Sequence, residues 1–111
     1  MTDQGDLETL LTRLRARLEK VDAELIGMVG ERRALVLEIG RIKETLGRPV
    51  LDPSQEAKVV RRAAQRAREM DVDEELIRDV IWRIIASARE AQTGKSHWGP
   101  PEPPSAPDPE G

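Results

Sequence analysis

Cysteine is absent from this 111-residue chain, and histidine occurs once. Disulfides, thiolate nucleophiles and cysteine-based metal sites are therefore excluded. There is no Gly-rich phosphate loop, and His97 lies at the edge of a C-terminal tail, where we interpret it as a surface residue. The usual residue sets for nucleophilic, metal or nucleotide chemistry are thus missing. An enzyme built from this chain has to work by holding and polarising its substrate, and we expect no cofactor.

Phenylalanine and tyrosine are also absent, and only two tryptophans occur. The core must therefore be aliphatic. No run approaches the ~20 apolar residues of a membrane span, and the acidic start lacks the basic and apolar parts of a signal peptide. We therefore expect a cytoplasmic protein without a membrane partner. The net charge of −3 argues against a nucleic-acid partner.

Apolar residues recur every seven positions in two rows between residues 7 and 46, which predicts one face of a long helix. We place its start at a cap formed by Asp6 and its end at Leu46, where Gly47 offers a left-handed stop and Pro49 prevents continuation. Only Arg32 interrupts the rows. The first row is Leu7, Leu14, Val21, Met28, Leu35 and Ile42; the second is Leu11, Leu18, Leu25, Arg32, Ile39 and Leu46.

The predicted first helix is too long for one small chain to cover. About forty residues at a rise of 1.5 Å each give a rod near ~60 Å long. A compact domain of this size has a radius of gyration of only ~13 Å. We therefore expect a second copy of the chain to cover the overhanging part.

Two shorter helices follow. The residues 52–55 predict the start of the second helix, with Asp52 as the N-cap and a proline at the first helical position, and this helix reaches about Glu69. Asp73 caps the third, which ends at Gln92. The apolar face of the second helix is Val60, Ala63 and Ala67, flanked by Val59 and Ala64; that of the third is Leu76, Ile77, Val80, Ile81, Ile84, Ile85 and Ala88.

The predicted fold class is all-α, with three helices per chain in one domain over residues 1–94. Residues 95–111 contain six of the eight prolines and cannot hold a helix, so we expect a disordered or loosely polyproline II tail. A proline-rich docking motif is the alternative interpretation of this tail.

Polar residues on otherwise apolar faces are the candidate site. Arg32 and Lys43 lie on the seam of the first helix, Glu56 shares the apolar face of the second, and Gln92 continues that of the third. A charge turned toward a core needs a counter-ion, which an anionic ligand could provide. Arg15 flanks the same seam about 25 Å from Arg32 along the rod, too far to reach one small ligand from the same chain. An antiparallel partner could bring it to the other chain's site.

Each candidate also has a purely structural interpretation. Arg32 could pair with Glu31 or Glu38 and extend toward solvent. Glu56 suits the first turn of any helix because of the helix dipole. Gln92 could simply be a polar residue at a helix end. We interpret the arginines of the second helix as a solvated basic surface.

The candidates and their neighbours, in this order and spacing, resemble the all-helical (type II) class of chorismate mutases over about residues 7 to 92. This resemblance implies an intertwined homodimer of three-helix chains, with two sites each completed by an arginine of the other chain. The motifs that carry it are Glu31-Arg32-Arg33, Gly40-Arg41-Ile42-Lys43, Arg48-Pro49-Val50-Leu51-Asp52, Glu56, Ile84-Ile85 and Gln92.

The reaction implied by the resemblance is the Claisen rearrangement of chorismate to prephenate, a step in phenylalanine and tyrosine synthesis that needs no cofactor. Arg32 and the partner's Arg15 would hold the two carboxylates of the substrate. Lys43 and Gln92 would donate hydrogen bonds to the ether oxygen, which gains negative charge in the transition state.

The resemblance further implies that Glu56, with the backbone near Asp52, holds the ring hydroxyl. Two positions depart from the family's usual pattern: Gln55 stands where an arginine is common, and Ala88 stands in the substrate site where a small hydroxyl residue is common. Both differences concern fine specificity more than the reaction class.

Alternative functions remain open within and outside this resemblance. The same fold is used by a lyase that removes pyruvate from isochorismate and by a mutase that acts on 4-amino-4-deoxychorismate. A non-catalytic helical dimer, such as a regulatory partner of another shikimate-pathway enzyme, is the alternative from a different class. A pure dimerisation rod would carry an apolar residue in place of Arg32.

Overall fold

The computed structural model describes residues 3–94, and these residues form helices and short connections without a strand. The all-α prediction with three helices is confirmed. The predicted tail, including His97, lies outside the described residues. The helices are α1 (Gln4–Thr45), α2 (Pro53–Glu69) and α3 (Glu74–Gln92).

The start of α1 differs from the prediction. Asp6 was expected to be the N-cap, and this was wrong, because Asp6 lies in the first turn of the helix. The backbone carbonyl of Asp3 accepts a hydrogen bond from the amide of Leu7 at 3.1 Å. A carboxylate is favourable at either position, since the amino end of a helix carries partial positive charge. The sequence signal for a cap and for a first-turn acid is therefore nearly the same.

The end of α1 is set by a glycine, as predicted. Gly47 has φ +69°, in the left-handed region that favours glycine. The amide of Arg48 donates to the carbonyl of Lys43 at 2.8 Å, and the amide of Gly47 donates to that of Glu44 at 3.0 Å. These bonds satisfy carbonyl groups that the helix itself leaves without partners.

The other two predicted aspartate caps, Asp52 and Asp73, are confirmed. The Oδ1 atom of Asp52 accepts from the amide of Gln55 at 3.1 Å and so caps α2. The Oδ1 atom of Asp73 accepts from the amides of Glu75 and Leu76 at 3.0 and 3.2 Å and so caps α3. Each cap satisfies amide groups that the first turn of a helix leaves unpaired.

α2 and α3 form an antiparallel helical hairpin. The connection is short, and Asp71 within it adopts φ +56°, a left-handed conformation that aspartate tolerates better than most residues. The amide of Val72 donates to the carbonyl of Ala67 at 2.8 Å, which closes the end of α2. The first turn of α2 is consequently brought beside the last turns of α3.

Small side chains form the contact between α2 and α3. The buried residues are Val60, Ala64, Ala67, Ile85 and Ala88. Val60 and Ala67 of the predicted α2 face are buried, but Ala64, predicted to flank that face, is fully buried whereas Ala63 is half-buried. Leu76 and Val80, predicted on the apolar stripe of α3, are exposed in the chain. One neighbouring helix covers only part of so wide a stripe.

Residues 3–39 and residues 40–94 form two separate compact units. In the first unit, the large apolar residues of the heptad rows of α1 are exposed. Leu14 is 47% exposed and Met28 is 62% exposed, and the other large apolar residues of the rows in this unit are similarly open. An apolar surface of this length is typical of an interaction site.

Replacing Asp73 by Ala is expected to lower the free energy of unfolding by about 1 kcal/mol, because two amide groups at the start of α3 lose their acceptor. Asp79→Ala is the matched control, since Asp79 is exposed in the interior of α3. Urea unfolding followed by circular dichroism measures both variants. Equal effects of the two substitutions would contradict the capping role of Asp73.

Candidate functional site

The side chain of Gln92 lies against α1 at Gly40. A Cβ atom placed on Gly40 would lie 3.1 Å from Nε2 of Gln92 and 3.4 Å from Cγ1 of Val50. Gly40 is buried, and its lack of a side chain makes room for the amide. Lys43 follows three residues later on α1 and is half-buried. The structure thus brings Gln92 to the turn of α1 next to the one that carries Lys43.

Lys43 lies in the last turn of α1. A cation there is favourable with the negative end of the helix dipole, which gives Lys43 a structural role whether or not it contacts a ligand. The positions of Lys43 and Gln92 together are more informative than either alone, because Gln92 of α3 lies against Gly40, three residues before Lys43 on α1.

Glu56 is paired with Arg89, a residue that the sequence analysis did not identify. Nε of Arg89 donates to Oε2 of Glu56 at 3.3 Å, and Nη2 of Arg89 donates to Oε1. The side chain of Glu56 is 17% exposed and that of Arg89 is 43% exposed. This two-point contact compensates the charge of the carboxylate and fixes its plane. Each oxygen retains capacity for a further hydrogen bond.

Asp52 and Ala88 are the remaining predicted site residues in the second unit. Asp52 is exposed, and one of its carboxylate oxygens is engaged in capping α2. Ala88 is 5% exposed and packs in the α2–α3 core. It contributes an apolar side chain, and no side-chain hydrogen bond, where the sequence departs from the usual family pattern. Gln55, the other departure, is exposed.

Arg32 and Arg15 belong to the first unit. The Nη1 atom of Arg32 is buried and has no hydrogen-bond partner among residues 3–94. Neither Glu31 nor Glu38 therefore accepts from this atom. A buried donor without an acceptor costs about 1–3 kcal/mol, so this nitrogen is suited to an added anionic group. Arg15 is exposed.

A basic groove lies elsewhere on α2 and α3, lined by Lys58, Arg61, Arg62, Gln65, Arg68 and Arg78. Acidic neighbours pair with part of it: Glu74 is 3.2 Å from Arg68 and 3.1 Å from Arg78. This agrees with the interpretation of these arginines as a solvated, partly compensated surface.

The part of the chain that the structure describes has no group of three or more acidic or histidine side chains placed to bind a metal ion. In the same part, no helix has the length and apolar character needed to cross a membrane.

The sequence is similar to chorismate mutases and to proteins related to them. The family model for chorismate mutase type II matches residues 14–93. A T-protein of Enterobacter agglomerans is 33% identical over 89 residues, which are 80% of this chain and 23% of the T-protein. The chain spans less than a quarter of this T-protein and of a second one, from Haemophilus influenzae, of which it covers 22% at 28% identity over 86 residues.

Two shorter relatives are covered more completely. A 4-amino-4-deoxychorismate mutase of Streptomyces venezuelae is 35% identical over 85 residues, which are 77% of this chain and 79% of that protein. A chorismate mutase of Methanocaldococcus jannaschii is 29% identical over 66 residues, which are 60% of this chain and 67% of that protein. No solved structure matches the chain.

Gly40→Ala is expected to displace the amide of Gln92 by a few tenths of an ångström without destabilising the protein. The new methyl group would meet the flexible end of Gln92 at 3.1 Å, while alanine is favoured over glycine in a helix by up to ~1 kcal/mol. Gly30→Ala is the control, because a Cβ atom there meets nothing within 4 Å.

In Gly40→Ala, ¹⁵N NMR of the side-chain amide of Gln92 measures its displacement. The midpoint of urea unfolding measures the effect on stability. The Gln92 resonances are expected to shift in Gly40→Ala only, and the unfolding midpoint is expected not to fall in either variant. Unchanged Gln92 resonances in Gly40→Ala would contradict the close approach.

Proposed function

Because the chain belongs to the chorismate mutase type II family, we propose that it is a chorismate mutase that converts chorismate to prephenate in phenylalanine and tyrosine biosynthesis. The structural observation that carries the proposal is the buried Nη1 atom of Arg32, which lacks an acceptor among residues 3–94. A dicarboxylate substrate would supply that acceptor.

The rearrangement suits a chain without nucleophiles. One C–O bond breaks while one C–C bond forms within the same molecule, so no covalent intermediate, proton transfer or cofactor is required. The enzyme has to hold the substrate in the folded conformation in which the two reacting carbons approach each other. It also has to stabilise the charge that develops as the C–O bond stretches.

Arg32 would hold one carboxylate of the substrate through its guanidinium group. The partner's Arg15 would hold the other, because Arg15 of the same chain is about 25 Å away along α1. A guanidinium binds a carboxylate through two parallel hydrogen bonds, which fixes orientation as well as position. The two clamps together would favour the compact, reactive conformer.

Lys43 and Gln92 would donate hydrogen bonds to the ether oxygen. The close approach of Gln92 to Gly40, one turn of α1 from Lys43, supports this assignment. Negative charge grows on the ether oxygen only as the reaction proceeds, so these bonds strengthen in the transition state and accelerate the step. One such donor is typically worth about 3–4 kcal/mol of barrier.

Glu56 would accept a hydrogen bond from the ring hydroxyl, next to the backbone around Asp52. Its remaining acceptor capacity and its low exposure of 17% support this role. Ala88 would present an apolar wall to the substrate at the position where the family usually has a small hydroxyl residue.

The site requires a homodimer in which α1 acts as one long rod covered by a second chain. The half-exposed rows of apolar residues on α1, such as Leu14 and Met28, support this assembly. The second copy would bury these rows and contribute Arg15 to the opposite site. The cytoplasmic location and the separate tail over residues 95–111 remain proposals from the sequence.

A mutase for 4-amino-4-deoxychorismate is the second candidate function. The 35% identity to such a protein, over 79% of its length, favours it specifically. Glu56 can accept a hydrogen bond from an amine as well as from a hydroxyl. Both substrates therefore belong in every activity measurement.

Purified protein is expected to convert chorismate to prephenate. The loss of chorismate absorbance measures the rate, and acid conversion of the product to phenylpyruvate identifies prephenate. Arg32→Leu is expected to reduce kcat/KM at least about thirtyfold, because truncating one partner of a buried charge pair costs about 2–5 kcal/mol. The free energy of unfolding is expected not to fall, because leucine continues the apolar row.

A folded dimer without activity on chorismate would refute the proposed function. Full activity of Arg32→Leu would show that Arg32 does not bind the substrate. A non-catalytic dimer predicts neither turnover nor any effect of Arg32→Leu beyond stability.

Co-expression of Arg15→Ala and Arg32→Leu chains with different tags tests the shared site. In the hybrid dimer, Arg32 of the first chain and Arg15 of the second rebuild one intact site, while the other site lacks both arginines. Random pairing is expected to restore about a quarter of wild-type activity, since half of the dimers are hybrids with one active site of two.

Each variant expressed alone is the control for the hybrid and is expected to be nearly inactive. Purification through both tags should enrich the hybrid to about half of wild-type activity per dimer. A tagged hybrid no more active than its parents would show that the two arginines do not serve opposite chains.

A further inference from the structure

We propose that Arg89 biases the site toward a ring that carries a hydroxyl group and against one that carries an amine. It would act by cancelling the charge of Glu56. This inference rests on the proposed function, because it assumes that Glu56 faces the ring substituent. It assigns to Arg89 a positioning and specificity role, without contact with the reacting atoms.

The geometry of the pair supports this role. Two nitrogens of Arg89 each donate a hydrogen bond to a different carboxylate oxygen of Glu56. The carboxylate is therefore oriented, and its negative charge is compensated by the guanidinium. Arg89 precedes Gln92 by three residues and therefore lies on the same side of α3. The pair is thus adjacent to the amide that we assign to the ether oxygen.

The charge of the pair decides which ring substituent is favoured. A hydroxyl group is neutral and needs only an acceptor, which the paired carboxylate still offers. An alkyl amine is protonated near pH 7, and its positive charge is attracted by Glu56 but repelled by Arg89. With Arg89 in place the net attraction for the ammonium group is small. Without Arg89, Glu56 becomes an unpaired anion that an ammonium group would complement.

An ordinary surface ion pair on the same helix provides a comparison. Arg78 binds Glu74 one turn away at 3.1 Å, and both side chains belong to α3. Arg78 and Arg89 are equally exposed, at 43%. The acids differ, because Glu74 is 31% exposed and Glu56 only 17%. Glu56 also comes from another helix, 33 residues away in sequence. Removing Arg89 therefore leaves a less solvated anion than removing Arg78.

The test compares kcat/KM for 4-amino-4-deoxychorismate with kcat/KM for chorismate, both at pH 7. Arg89→Gln is expected to raise this ratio about tenfold, a moderate value because Arg89 is partly exposed and its charge is screened. Arg89→Lys retains the charge and is expected to keep the ratio within about twofold of wild type. Glu56→Gln leaves Arg89 uncompensated and is expected to lower the ratio.

Arg78→Gln is the matched control. It removes the same charge, at the same exposure, from the same helix, about 16 Å from Arg89 along the axis. The ratio is expected to stay at the wild-type value in this variant. A general effect of net charge would change it as much as Arg89→Gln does. Circular dichroism and gel filtration establish that each variant is a folded dimer.

The opposite directions of Arg89→Gln and Glu56→Gln are the signature of charge compensation. A purely structural pair would lower both activities without changing their ratio, and that result would overturn the inference. An equal rise in KM for both substrates with Arg89→Gln would also overturn it, because it would place Arg89 on a substrate carboxylate. If Arg89→Gln does not fold, Arg89→Met takes its place: it also removes the charge and is expected to raise the ratio, and a folded Arg89→Met with an unchanged ratio would overturn the inference.

Failure of the inference is distinguishable from failure of the proposed function. Wild-type protein that converts neither substrate refutes both. Wild-type protein that makes prephenate, with an unchanged ratio in the Arg89 and Glu56 variants, refutes only the role of Arg89.

Discussion

The packing of α2 against α3 is the interaction on which the described part of the site depends. Alanine side chains at the contact, Ala64 and Ala88 among them, are buried and allow the two helices to approach closely. Their antiparallel arrangement places the first turn of α2 beside the last turns of α3. Glu56 and Arg89 meet there, and Gln92 is carried on to Gly40. A larger residue at the contact would separate groups whose roles depend on their spacing.

Among residues 3–94, α1 has a row of exposed large apolar side chains in addition to this hairpin. Stability and activity are linked in such a design, because the second copy that would bury the rows of α1 would also deliver Arg15. The buried Nη1 atom of Arg32, which has no hydrogen-bond partner among the described residues, is consistent with this link. A stability cost is tolerated at the position where a ligand is expected to bring the missing acceptor. A ligand that binds Arg32 would therefore also offset a cost in folding stability at this residue.

Local signals in the sequence were sufficient for the helices and most of their ends, because caps such as Asp52 and stops such as Gly47 act within a few residues. Asp6 was placed wrongly, since an acid is favourable both at a cap and in the first turn. The pairing of Arg89 with Glu56 could not be derived, because it joins positions 33 residues apart. Gly40 carried a weak signal, as a glycine inside a helix costs stability and usually has a packing reason.

The central claim is that this helical site is complementary to the transition state of the rearrangement. Calorimetric titration with a stable bicyclic ether dicarboxylate, shaped like that transition state, tests the claim most directly. A saturated, unreactive analogue of chorismate with both carboxylates is the reference. We expect one molecule bound per chain and at least ~100-fold tighter binding than the reference. Equal affinity for the two compounds, or no binding of either by the folded protein, would contradict the proposed function.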